Sequence, residues 1–321
     1  MSHASVSALR EPAPLPPGSR VALVSPSGPL NGPHELERAV AAVESFGWVA
    51  VPGTHALARD GYLAGSDEAR AADLIHALED DDIHGIWCLR GGYGAARLMP
   101  VLDEVLTSVS ANQPPKTLIG YSDITALHAL WQRHGLISFH GQTARATITP
   151  FTRETLTTIV AAGRETTWQA ENASVLHAGR ATGRLAGGNL ALVASLLGTP
   201  WSCNFDGALV VLEDVGEAVY RIDRMLTQLV LAGAFDRCAG LVLGHFTERP
   251  DDSGGARTLE LVVQEVADRL KVPALLGVPI GHIEDQWTLP FGALATLDAD
   301  ARTLAIHRTV HLAVHRTALR T

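Results

Sequence analysis

Two kinds of apolar pattern alternate through the first 135 residues. Mostly apolar runs at 21–24, 48–51, 83–89 and 117–120 have the length and content of buried strands. Each is followed by a stretch with apolar residues three and four apart. Leu36, Val40, Val43 and Phe46 mark the first, over 36–46, and helices at 67–78, 95–105 and 123–133 follow. Ser66 and Asp67 supply a start signal for the second helix. In the last, Ile124, Leu127, Leu130 and Trp131 share one face. Strands and helices alternating at this spacing predict a mostly parallel sheet covered on both faces. Binding sites in such sheets lie beyond the carboxyl ends of the strands.

From about 147 to 183 the pattern weakens, and a crossing between two domains is expected there. The chain then resumes with a glycine-led segment over 184–197 that turns helical at Asn189 and Leu190. Strands follow at 208–212 and 240–246, with helices at 218–231 and 258–271. Further strands are expected near 275–278, 294–298 and 303–314, the last alternating Val310, Leu312 and Val314 with His311, Ala313 and His315. The expected organisation is a flexible, proline-bearing tail over 1–18 and an α/β domain over 19–160. A crossing over 161–182 then leads to a C-terminal domain over 183–321.

Composition narrows the function classes. A chain of 321 residues can build two cores, and 46% hydrophobic content with 30 glycines fits a globular α/β protein. The net charge of −9, with no Lys/Arg cluster, argues against a nucleic-acid partner. No apolar run approaches the roughly 20 residues of a membrane helix. The first 19 residues lack the order of a signal peptide. Cys88, Cys203 and Cys238 are odd in number and show no C-x-x-C spacing, which predicts reduced thiols and a cytoplasmic location. Fourteen histidines include no H-E-x-x-H, and His307, His311 and His315 read as a solvated face, so no metal is expected. Arg90-Gly91-Gly92-Tyr93-Gly94 is not a dinucleotide fingerprint, and no cofactor is expected.

Candidate chemistry centres on Ser122. Strand 117–120 turns straight into helix 123–133, and Ser122 stands at the corner. Such a corner exposes its side chain at the sheet edge, as a nucleophile elbow does, although Ile124 replaces the second glycine of G-x-S-x-G. Ser122 could equally cap the helix. Acyl transfer by serine also needs a base, a carboxylate to orient it and N–H donors for an oxyanion. The N–H groups of Gly92 and Asp123 are donor candidates. His282, after the Gly277-Val278-Pro279-Ile280-Gly281 loop, and His140 are rival bases. Glu213 follows an apolar run, where a carboxylate needs a partner. Spacing alone does not choose between the two histidines.

Six stretches in order carry a resemblance. They are Gly61 to Arg70, Arg90 to Arg97, Ile119 to Thr125, Gly187-Gly188-Asn189-Leu190, Leu212 to Leu226, and Gly281-His282 with Leu289-Pro290-Phe291-Gly292. Together they resemble the LD-carboxypeptidases of serine peptidase family S66. The resemblance implies a Ser122–His282–Glu213 triad, with Glu217 the competitor for the acidic role, and an oxyanion hole from the N–H groups of Gly92 and Asp123. It implies an α/β fold: a Rossmann-like parallel-sheet N-terminal domain and a smaller C-terminal mixed α/β domain with a β-rich core, the site lying between them. It also implies a cytoplasmic homodimer that needs no metal.

The expected reaction is hydrolysis of the amide between an L-centre and a terminal D-amino acid, releasing D-Ala from a muropeptide in peptidoglycan recycling. Arg90, Gly91 and Tyr93 are the substrate-binding candidates. A same-family alternative is hydrolysis of a peptide-nucleotide antibiotic for self-immunity, with Trp168 as a stacking candidate. An alternative of another class is a non-catalytic small-molecule binder. Two departures from the family pattern, Gln142 after His140-Gly141 and His245 after Gly244, bear on substrate identity.

Overall fold

A computed structural model describes residues 9–247 and 257–307. The strands β1 (Arg20–Val24), β2 (Val49–Pro52), β3 (Gly85–Cys88), β4 (Thr117–Gly120) and β5 (Ser138–His140) alternate with helices α1 (Pro33–Glu44), α2 (Asp67–Glu79), α3 (Met99–Asn112) and α4 (Thr125–Arg133). After α5 (Pro150–Leu156) come β6 (Thr166–Gln169), β7 (Ser174–His177) and β8 (Arg180–Asn189). Then α6 (Leu190–Leu196), β9 (Ala208–Val215), α7 (Val219–Leu231), β10 (Gly240–Thr247) and α8 (Leu259–Leu270) follow. The described chain closes with β11 (Ala274–Leu276), β12 (Leu289–Phe291), β13 (Leu294–Asp298) and β14 (Thr303–Ile306).

The first sheet has the order β2-β1-β3-β4-β5-β12 and is parallel except for β12. Chain order reverses between β1 and β3, the position in such sheets beyond which sites form. The second sheet has the order β6-β14-β13-β8-β9-β10-β11-β7. Its centre, β8 to β11, is parallel, and its flanking strands are antiparallel.

Period-two alternation lets the two sheets share one core. Val21 and Leu23 of β1 pack into the same cluster as Leu209 and Val211 of β9. The intervening Ala22 and Val24 face α2, α3 and α4, and Val210 and Leu212 face α6, α7 and α8. The same alternation carries Glu213 onto the inter-sheet face and Asp214 onto the α6 face. There the Asp214 carboxylate accepts from Asn189 Nδ2 at 2.9 Å and Ala191 N at 3.0 Å. The start of α4 docks on the end of β8, where Asn189 N donates to Thr125 Oγ1 at 2.9 Å. The ends of β4 and β9 are thereby neighbours.

Several expectations are corrected. Residues 9–18 are docked rather than a flexible lead: Leu15 is buried, and Arg10 N donates to Gly135 O at 2.7 Å. The weakly patterned 161–182 segment holds β6 and β7, which sit at opposite edges of the second sheet. Their half-exposed positions need no strict alternation. The segment starting at 184 is the second half of a strand, β8, before it turns helical. Strand β9 runs on to Val215, so Glu213 lies within it. The helix expected from 95 opens with a short 3₁₀ turn, Ala95–Leu98. Strand β14 ends at Ile306, and His307 Nε2 meets Thr296 Oγ1 at 2.8 Å. Val310, His311, Leu312, Ala313, Val314 and His315 lie outside the described residues.

Buried His128 braces the end of β4 from α4. Its Nε2 donates to Gly120 O at 2.9 Å, and its Nδ1 accepts from Ser138 Oγ at 2.8 Å. Burial holds this imidazole down at about 4, the bond to Gly120 opposing the shift. The ring therefore protonates near 6.5 in the unfolded chain but only near 4 in the fold. Between those values the unfolded state binds the extra proton, so this group's contribution makes stability fall as pH falls. We expect His128→Gln to flatten the acid limb of stability by about 1.4 kcal/mol per pH unit between pH 6 and 4.5. Urea unfolding of both proteins at several pH values checks this, and parallel limbs would show that His128 is not held neutral.

Candidate active site

Three loops at the carboxyl edge of the first sheet converge on Ser122. Strand β4 is apolar and fully buried, and it stops at a sharp corner. Ser122 there has φ of 65°, a left-handed conformation that costs a non-glycine residue free energy and persists only where its surroundings enforce it. Tyr121 occupies the cap position of the following turn, and no side chain caps it. The Ser122 hydroxyl points instead to His282, Oγ to Nε2 being 3.1 Å. The other ring nitrogen, Nδ1, lies 2.7 Å from Glu213 Oε2. The bond to the carboxylate assigns the proton to Nδ1 and leaves Nε2 to accept from the serine.

Glu213 is fully buried, while the His282 side chain is 19% exposed. The second carboxylate oxygen of Glu213 is buried with no hydrogen-bond partner. Gly281, at φ of 112°, lets the histidine loop press onto the acid. A Cβ there would sit 2.9 Å from both Cβ and Oε2 of Glu213. The Tyr121 ring leans on the His282 ring with centroids 4.8 Å apart. Burial, then the Glu213 charge, pushes the Tyr121 phenol up to about 12, so it stays protonated.

The loop holding His282 is tied to both sheets, because β11 precedes it and β12 follows it. Helix α5 clasps its middle. Thr152 Oγ1 accepts from Gln286 N at 3.1 Å and donates to Glu284 O at 3.0 Å, and Thr155 Oγ1 accepts from Thr288 N at 3.2 Å.

Across from the histidine, the β1 and β3 loops are bonded by Gly28 N donating to Gly91 O at 3.1 Å. Gly91 is packed directly over the serine. A Cβ on it would lie 2.8 Å from Ser122 Cβ, 3.0 Å from Oγ and 3.4 Å from Asp123 N. Gly92 follows on the exposed rim, and Tyr93 is half exposed against Tyr62, with centroids 5.9 Å apart. Two buried charged side chains lock these loops. The Asp123 carboxylate accepts from Ser27 Oγ at 2.6 Å and Ala95 N at 2.8 Å. Burial raises its pKa, against those two bonds. Arg70 donates to Gly94 O at 2.9 Å and also reaches Pro26 O and Asp67.

Every residue of the expected triad is therefore within hydrogen-bonding reach of its neighbour. The rivals are elsewhere. His140 is fully buried, stacks on Phe291 with centroids 5.0 Å apart, and has no partner for either ring nitrogen. Glu217 pairs with Arg221 at 3.5 Å. Trp168 stacks on Trp287 with centroids 5.3 Å apart and packs against the shared core. Gln142 is buried, and its carbonyl accepts from Trp87 Nε1 at 2.7 Å. His245 is half-buried beside the histidine loop, with its N–H donated to Ile280 O at 2.9 Å. Sequence reasoning missed the brace formed by Ser27 and Ala95 on Asp123. The only signal for it was the polar Ser27 in a proline-rich loop. Among the described residues, no three His, Cys, Asp or Glu side chains converge as a metal site would require.

Comparison with known proteins identifies the family. The N-terminal domain of LD-carboxypeptidases (peptidase S66) matches residues 21–141, and their C-terminal domain matches residues 182–297. The murein tetrapeptide carboxypeptidase of Pseudomonas aeruginosa is 34% identical over 296 residues, covering 89% of this chain and 95% of its own. The microcin C7 self-immunity protein of Escherichia coli is 27% identical over 330 residues, covering 92% of this chain and 94% of its own. The crystal structure of muramoyltetrapeptide carboxypeptidase from Oxalobacter formigenes superposes with a TM-score of 0.79 at 28% identity, covering 90% of this chain and 99% of that one. With both domains matched in order, the chain belongs to the LD-carboxypeptidase family, peptidase family S66, and is an enzyme of that class.

Proposed function

We propose that the enzyme is a serine carboxypeptidase that releases the terminal D-alanine from a cell-wall-derived tetrapeptide in peptidoglycan recycling. Ser122, His282 and Glu213 carry the reaction. The reading rests on one observation, the unbroken path from Ser122 Oγ through the His282 ring to a buried Glu213, at 3.1 and 2.7 Å. Similarity to the Pseudomonas aeruginosa enzyme supports the choice of substrate.

Ser122 Oγ attacks the carbonyl joining the L-centre to the terminal D-residue while His282 Nε2 takes its proton. Glu213 holds the ring by Nδ1–H and stabilises the imidazolium as it forms. Its buried Oε1, without another donor, leaves the carboxylate charge uncompensated until that moment. The oxyanion is taken by the N–H groups of Gly92 and Asp123, each worth roughly 3–4 kcal/mol. His282 then protonates the leaving amine, and the same base activates the water that hydrolyses the acyl-enzyme. Arg90, Gly91 and Tyr93, beside the oxyanion donors, contact the substrate. In this reading, residues 19–160 present the serine, residues 183–321 present the acid and the histidine, and residues 161–182 join them. Three unpaired cysteines support a cytoplasmic location. The homodimer is carried over from the family resemblance.

Ser122→Ala lowers D-Ala release from a murein tetrapeptide by roughly 10⁴–10⁶ in turnover, and Glu213→Gln by roughly 10⁴. Assays with EDTA present should match those without it. A Ser122→Ala protein that retained turnover would sink the triad, and cleavage of an aminoacyl-nucleotide in place of the peptide would move the enzyme to the immunity reading. Gly91→Ala places a methyl against Ser122 and the Asp123 N–H, so kcat/KM falls by roughly 10²–10³. The thermal unfolding midpoint should fall as well, because a Cβ 2.8 Å from Ser122 Cβ forces the corner to move, although the Gly91 backbone itself is not left-handed. Full activity in this variant would mean that the oxyanion forms elsewhere.

A further inference from the structure

In a chain of net charge −9, cations gather at one side of the candidate site. Arg90 directly precedes the glycine that covers Ser122. Its Nη1 donates to Pro29 O at 2.6 Å, and its Nε lies 3.6 Å from where a Cβ on Gly28 would sit. The backbone at Arg145 runs beside the end of β3, where Ala144 N donates to Cys88 O at 3.0 Å. Arg145 Nη1 reaches Glu35 Oε1 at 3.1 Å, and its buried Nε has no partner. Arg59 Nη2 donates to Leu30 O at 2.8 Å. All three guanidiniums are thus strung around the turn 29–31.

The acid side of this cluster is thin. Glu35 is buried and already accepts from Asn31 N at 2.8 Å and Asn31 Nδ2 at 3.1 Å, with Arg38 at 3.6 Å as a further cation. The groups bonded to Arg90 and Arg59 are carbonyls, which carry no charge. Burial, then repulsion from Arg145, depresses the Arg90 pKa, with Glu35 opposing and Arg59 adding to the repulsion. The field of Arg145 also reaches the Tyr121 phenol, which leans on His282. Cations drawn to one turn, with a single buried carboxylate among them, favour an anion between them. A planar guanidinium pair suits a carboxylate in particular, through paired N–H···O bonds.

We propose that Arg90 and Arg145 form a carboxylate-binding subsite beside Ser122, with Glu35 as the positioning residue that aims Arg145. The ligand is a carboxylate of the scissile peptide, either the α-carboxylate of the terminal D-residue or the side-chain carboxylate of the residue before it. The inference rests on the peptidase reading above and adds to it the residues that choose the substrate.

The test uses the full chain carrying Ser122→Ala as a binding protein, titrated calorimetrically with three probes. These are a murein tetrapeptide with a diaminopimelate third residue, its C-terminal amide, and the same peptide with the third-residue carboxylate amidated. Amidating the recognised carboxylate should weaken binding roughly 10- to 150-fold, the loss of one charge-assisted bond pair. Which amide weakens binding identifies the source of the carboxylate. In Ser122→Ala/Arg145→Met the same amidation should change affinity less than about 3-fold, the two losses being coupled. Ser122→Ala/Arg145→Lys keeps the charge over Glu35 and should fall between, which separates lost recognition from lost folding. If Arg145→Met leaves the preference for the free acid intact while the wild-type enzyme releases D-Ala, the subsite is overturned and the peptidase reading stands. If the wild-type enzyme neither turns over nor binds the tetrapeptide, both are overturned.

Discussion

The structure depends on the span of chain between β11 and β12. Strand β11 is hydrogen-bonded into the second sheet and β12 into the first, so the loop carrying His282 is held at each end by a different layer. Neither sheet alone fixes that imidazole. Its partners are likewise divided, Ser122 standing on the first sheet and Glu213 on the second. The hydrogen-bonded path therefore exists only when the two sheets share their core, and the threonines of α5 set the path of the loop between them. A geometry made this way is preorganised by the hydrophobic packing of two domains rather than by local chain preference.

The strained corner at Ser122 shows how such packing is used. A left-handed φ at a non-glycine residue is unfavourable by about 1–3 kcal/mol, and the surroundings must outweigh it. Here the neighbouring Asp123 carboxylate is tied to the loops of β1 and β3, while His128 holds the last carbonyl of β4. Arg70 fastens the same two loops from α2. Buried polar groups are costly unless partnered, so these bonds give the loops few alternative arrangements. Asp123 and Glu213 each keep one buried carboxylate oxygen without a partner, but Asp123 is tied to two loops while the one bond of Glu213 goes to His282. That imbalance suits a group whose proposed task is to meet a transient positive charge.

Much of this was legible along the chain. Four βα repeats follow directly from alternating apolar runs and helical spacing, because a parallel sheet buries its strands on both sides. Period-two alternation through β9 already places Glu213 on the face of Leu209 and Val211. Other features were hidden for physical reasons. Strands β6 and β7 are half exposed at sheet edges and so carry little pattern, and β12 is three residues long with a central proline, tolerated because it lies at an edge. Docking of residues 9–18 depends on contacts with residues 135 and 160, far away in sequence.

The sequence by itself determined the family, the parallel sheet and the three residue types needed for serine chemistry, since those rest on local periodicity and on motifs in order. Tertiary structure brings His282 rather than His140 to Ser122, and Glu213 rather than Glu217 to His282. It also gathered Arg90, Arg145 and Glu35 around the turn 29–31. The distances that distinguish these residues run between sheets and loops, and they are set by how two hydrophobic faces pack, which no spacing along one chain records.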